Sequence, residues 1–179
     1  MSATRASRFT PLQRGLHWVM ALCILAMLFI GVGMVSTITQ SHLTLISIHK
    51  PLGLAILALV LVRIAVRLRS GAPGLPADLP VPMKLAARLS HYAFYALMLA
   101  MPLLGWGMLS AAAYPVTVLG FTLPPILPQS DSLHSLLWTA HRTLAFAFFA
   151  LILLHLAAAL FHALVRRDGV FEAMGPAVR

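Results

Sequence analysis

The 179-residue chain is 60% hydrophobic and only 9% charged, far below the roughly one-quarter charged share of a soluble domain. That composition belongs in lipid, as one compact domain with room for four spans of about 20 residues and none for a separate catalytic domain. The 13 basic and 4 acidic residues flank apolar runs, which argues against nucleic-acid binding, and a single cysteine rules out a disulfide framework or a cysteine-held iron–sulfur or zinc centre.

In chain order, Arg5, Arg8 and Arg14 precede the first apolar run, residues 16–35. The arrangement superficially resembles a signal peptide. The run is longer than a typical signal-peptide core and no clear small-residue cleavage site follows it, so it is read as a retained span, with Cys23 as a small packing residue. A polar stretch containing Thr37, Thr39, Gln40 and Ser41 leads to a second span at residues 49–66. The Pro/Gly-rich segment 71–82 is a loop. The third span, residues 91–109, contains Pro102 beside Gly105 and Gly107, which membrane helices tolerate. Residues 111–131 are apolar but broken by Pro115, Pro124, Pro125 and Pro128, and are expected to form an interfacial loop. The fourth span covers residues 132–165.

The expected fold is therefore all-α, an integral membrane four-helix bundle. Basic residues gather on the cytoplasmic side of membrane proteins. With both termini cytoplasmic, Arg5, Arg8, Arg14, Arg63, Arg67, Arg69, Lys84, Arg88, Arg166, Arg167 and Arg179 fall inside, and Lys50 and Arg142 outside.

Ionisable residues within spans are costly and point to function. His17 begins the first span on the inner side and His155 lies near the inner end of the fourth; His49 begins the second on the outer side and His141 lies near the outer end of the fourth. Two depth-matched pairs result. The 14 residues between His141 and His155 amount to roughly 21 Å of rise and about 40° of rotation, so both face one interior. A haem iron takes two axial imidazoles, and a four-helix core can clamp the macrocycle between facing helices. A single histidine in a membrane helix is more often interhelical glue than a ligand; two matched pairs reverse that preference. Zinc is disfavoured because cysteine and carboxylate ligands are scarce. Phe148, midway between His141 and His155, fits between two macrocycles or serves as plain core.

Among the remaining histidines, His42 and His134 lie in outer polar segments and are the substitutes should His49 or His141 be misassigned. His162 and His91 lie at the inner membrane surface, suited to a quinone headgroup or to snorkelling into water.

The segments RGLHW around His17, ISIHKPLG around His49, TAHRTLA around His141 and LLHLAAALFH around His155 and His162 resemble the bacterial cytochrome b561 family over essentially the whole chain. The resemblance implies two haem b groups, an inner one held by His17 and His155 and an outer one held by His49 and His141, in the bacterial inner membrane. That family includes a superoxide oxidase, which passes electrons from superoxide at the outer face through both haems to ubiquinone. Lys50 and Arg142 each follow an outer-haem histidine; they steer an anion such as superoxide or neutralise haem propionates. His162 and His91 are the candidates for the quinone site. The rival expectations are an electron-transfer subunit serving a separate redox protein partner, such as a dehydrogenase or hydrogenase, and a haem-free transporter, the latter disfavoured by the lack of intramembrane carboxylates.

Overall fold

A computed structural model describes residues 8–118 and 120–175. Helix α1 (Pro11–Ser36) begins at a capping box: the Thr10 side chain accepts from the Gln13 backbone N–H while the Gln13 side chain accepts from the Thr10 N–H, with Pro11 in the first turn. Proline fits there because its missing N–H would have no helical partner anyway. Helix α2 (Gln40–Ser70) ends at Gly71, whose φ of +66° reverses the chain while its N–H caps the Arg67 carbonyl. Helix α3 (Val81–Ala111) runs unbroken through Pro102, and α4 (Asp131–Phe161) starts at Ser130, whose hydroxyl accepts from the Leu133 N–H. A π-helical turn, His162–Arg166, and a short helix α5 (Val170–Met174) follow.

Each helix begins before the apolar run that announced it. Backbone hydrogen bonding inside a helix does not stop where hydropathy does, and polar residues can complete its outer turns in the interfacial zone. Gln40 and Ser41, expected in a polar link, are thus the first residues of α2, and Val81 and Pro82, expected in the loop, are the first of α3. All four long helices are long and apolar enough to cross a membrane. Side chains such as Leu22, Phe29, Phe146 and Leu154 lie exposed on them, a surface that lipid and not water suits.

Between α3 and α4 the proline-broken segment is not plain loop. Strands β1 (Val116–Val118) and β2 (Phe121–Leu123) form an antiparallel hairpin with Val116 opposite Leu123 and a turn at Gly120, φ +83°. It is tied to the helix ends by Trp106 Nε1 donating to the Pro124 carbonyl, the Ile126 N–H donating to Ser110 Oγ, and the Ser130 N–H donating to the Ala111 carbonyl.

The helices pack as two hairpins, α1 against α2 and α3 against α4, joined by a lighter α2–α3 contact. Among the long helices α4 approaches only α3 closely. The buried centre takes one side chain from each helix: Met20, Val60, Met98 and Phe148. Phe148, with its edge-to-face partner Phe94 at 5.9 Å, is therefore core. The Phe9 N–H donates to the Ala173 carbonyl, Arg14 to the Gly175 carbonyl and Trp18 Nε1 to the Met174 carbonyl, so the start of α1 and the end of the described chain share one end of the bundle. Arg5 and Arg179, counted above for orientation, lie outside the described residues.

Candidate functional site

Two histidine pairs span the gap between the hairpins. His17 on α1 faces His155 on α4 with ring centres 6.3 Å apart, and His49 on α2 faces His141 on α4 at 6.2 Å. These spacings exclude a direct hydrogen bond and a tetrahedral metal, and they also lie within the roughly 4.5–7 Å range of plain edge-to-face ring packing. Two imidazoles sharing an N–H···N hydrogen bond of about 2.9 Å would place their ring centres about 5.2 Å apart. A tetrahedral metal with bonds of about 2.0 Å would hold them at about 5.1 Å. Two imidazoles on opposite sides of one first-row metal come to about 6.3 Å, counting about 1.1 Å from each nitrogen to its ring centre. Both pairs match the opposed arrangement.

The Nδ1 atoms of His49 and His141 are buried without a hydrogen-bond partner; the Met101 carbonyl adjoins the His141 ring without reaching hydrogen-bond geometry to Nδ1. Unpartnered polar atoms in an apolar interior are costly, and a metal held at Nε2 would leave these two Nδ1 atoms unchanged. Gly105 on α3 lets the backbone approach His141: a Cβ there would meet His141 Cε1 at 3.5 Å. The donor set, its spacing and its position between separated helices all fit a bis-imidazole haem.

His91 also reaches His155, at 6.0 Å between ring centres. It sits on α3, which packs directly against α4, whereas His17 and His49 sit on α1 and α2, which do not. The His91 Nδ1–H donates to the Ala87 carbonyl one turn back on α3. With Phe94, 5.1 Å from the same ring, His91 walls His155 on the α3 side. His162 is elsewhere, at the bundle end, where its Nδ1–H donates to Asp168 Oδ2 at 2.8 Å. No contact among the described residues joins His91 to His162. His42 and His134 are used locally: the Nδ1–H of His42 donates to the Met34 carbonyl and that of His134 to the Met108 carbonyl, each at 2.9 Å.

The two opposite-end cations are not brought together. Lys50 Nζ reaches the Pro115 carbonyl at 3.5 Å, beside β1, and the Arg142 guanidinium lies 5.4 Å from the centre of the Trp138 ring. Arg63, counted from the sequence only toward orientation, is the residue that sequence reasoning missed. Its Nη2 donates to His17 Nδ1 at 2.9 Å. A signal existed: Arg63 follows His49 by 14 residues, the interval that places His155 on the face of His141.

The prokaryotic cytochrome b561 family matches residues 8–177. The chain belongs to that family. Similar proteins include cytochrome b561 homolog 1 of Escherichia coli (strain K12), 27% identical over 95% of this chain and 98% of that protein. Cytochrome b561 homolog 2 of the same organism is 27% identical over 93% of this chain and 90% of that protein. A protein named probable superoxide oxidase CybB from Yersinia pestis is 31% identical over 96% of this chain and 98% of that protein. As a cytochrome b561 the chain is a multi-pass bacterial membrane protein of electron transfer, and membership implies binding of haem b.

Proposed function

We propose that this cytochrome b561 holds two haem b groups, an outer one between His49 and His141 and an inner one between His17 and His155, and that it oxidises superoxide and reduces ubiquinone in the bacterial inner membrane, with both termini cytoplasmic. The observation that carries the reading is the pair of opposed histidine spacings, 6.2 and 6.3 Å. The similarity to the probable superoxide oxidase favours the donor.

Haem supplies one-electron iron chemistry, and the chain supplies position and charge. The four histidines fix two sites on α4, 14 residues apart, or roughly 21 Å along its axis. Lys50 and Arg142 lie beside the outer site in sequence, and their charge raises the encounter rate of an anion with that end. Each superoxide gives up one electron and leaves as dioxygen. Two such events, with two protons taken from the cytoplasmic side, convert one quinone to quinol. At the inner end Asp168 accepts from His162 Nδ1 and so orients the ring, leaving Nε2 as the atom to meet a quinone oxygen. His91, beside His155, is the second quinone-site residue of this reading.

The test is haem quantitation with a reduced-minus-oxidised spectrum on the intact protein and on His17, His49, His141 and His155→Ala variants, followed by superoxide addition to purified protein with quinone present. The expected results are two haems per chain, loss of the same haem within each pair, and quinol formed in proportion to superoxide consumed. Full haem content with no response to superoxide would leave the haem assignment intact and redirect the donor to a separate redox protein.

A further inference from the structure

Among the described residues, the inner histidine pair has a cation in hydrogen-bond contact and the outer pair has none. Arg63 projects from α2 into the interior, where Nη2 lies 2.9 Å from His17 Nδ1, Nη1 lies 4.0 Å from Met20 Sδ, and the guanidinium sits 5.9 Å from the centre of the Tyr95 ring. At the other end Lys50 and Arg142 turn to the Pro115 carbonyl and the Trp138 ring, and no described hydrogen bond or ring contact joins either to His49 or His141. From this asymmetry we infer that Arg63 is a positioning residue that raises the midpoint potential of the inner haem above that of the outer one, an inference that rests on the proposed histidine ligation.

Two physical effects act in the same direction. A guanidinium keeps its charge under all working conditions, and inside a span, where screening is weak, a fixed positive charge stabilises the iron state that holds one more electron. The second effect is through the ligand. A metal-bound imidazole ordinarily donates its free N–H to a carbonyl or carboxylate, which makes the ring a stronger base and favours the oxidised iron. His17 faces a cation at that nitrogen instead. Were Nε2 of His17 to hold the iron, Nδ1 would carry the proton and the Arg63 N–H that now donates to it would turn aside. Tyr95 and Met20 still hold the charge in the neighbourhood. The consequence would be direction: with haems held at both pairs, the inner site, beside the proposed quinone site, would be the more favourable place for an electron.

The test is a spectroelectrochemical titration of the haem-loaded protein, with His17→Ala and His49→Ala variants used to assign each midpoint to its haem. The expected results are a higher midpoint for the inner haem in the unaltered protein and, in Arg63→Gln, an inner reduction equilibrium constant lowered about tenfold, a shift of about 59 mV for one electron. The outer midpoint should hold, and Arg63→Lys, which keeps the charge, should retain most of the inner value. An inner midpoint at or below the outer one, or one unmoved in Arg63→Gln with both haems retained, overturns the inference. Should Arg63→Gln shed the inner haem, the order of midpoints in the unaltered protein decides. A His17→Ala protein that keeps both haems defeats the ligand assignment instead.

Discussion

At the scale of single residues, the site depends on how closely backbones are allowed to approach the imidazoles. Gly105 is the clearest case, because a Cβ added there would touch the His141 ring at 3.5 Å, ordinary contact and no more. Gly105→Ala should therefore keep full haem content, whereas Gly105→Leu should push the His141 ring aside and cost the outer haem while sparing the inner one. Pyridine-haemochrome quantitation of the two variants separates these outcomes; equal haem loss from both would mean that Gly105 serves the helix and not the histidine. Depth and helical phase were enough to pair His17 with His155 and His49 with His141 from sequence. They gave no sign that His91 also lies against His155, with ring centres 6.0 Å apart. That contact depends on which helices pack and which stand apart.

At the scale of elements, the inner end is closed by a turn whose chemistry is ionic. After Phe161 the helix loosens to a π turn, Arg167 takes a left-handed φ of +52°, and its N–H reaches back to the His162 carbonyl. Asp168, one of four acidic residues in the chain, anchors this turn by accepting from His162, Arg166 Nε and the Val170 N–H. Arg166 also bridges to Asp78 at 2.7 Å, linking the turn to the α2–α3 loop. Burial pushes the Asp168 carboxyl up, but the hydrogen bonds from Arg166, His162 and Val170 outweigh it and hold the group below its ordinary value of 3.8. A carboxyl depressed by folding stabilises the folded form above its unfolded value, and that contribution is lost as pH falls through the folded value. Amide protection of residues 167–175, taken relative to intrinsic exchange at each pH, should accordingly be steady above about pH 4 and fall below it, and Asp168→Asn should show the reduced protection already at neutral pH. Unchanged protection in Asp168→Asn would remove Asp168 as the anchor. The β1–β2 hairpin is the element the sequence reading passed over. Its strands are three residues each, too short for a period-two pattern to stand out among prolines, and what secures it is the set of bonds from Trp106 and Ser110 on a different element.

At the scale of the whole molecule, nine described basic residues fall at the end shared by Phe9 and Ala173, and Lys50 and Arg142 at the other. In the proposed orientation, which follows the positive-inside rule, a fluorescent protein fused to the C-terminus should fold and glow, and alkaline phosphatase fused there should be inactive. The opposite pair of results would invert the bundle and exchange the two sites. Four spans, their order and the histidine depths were legible in the sequence because hydropathy and helical phase are local, one-dimensional properties, additive along the chain. The helix ends were less legible, since a helix continues past its apolar run for as long as caps such as Thr10 and Gly71 allow. What only the tertiary structure decided is where α4 stands apart from α1 and α2 while packing on α3. That spacing sets the 6.2 and 6.3 Å separations across the gap, confines His91 to a wall, and turns Arg63 from a topology charge into the neighbour of His17. Spacing between helices follows from side chains distant in sequence meeting at one centre, here Met20, Val60, Met98 and Phe148, and no local pattern carries that information.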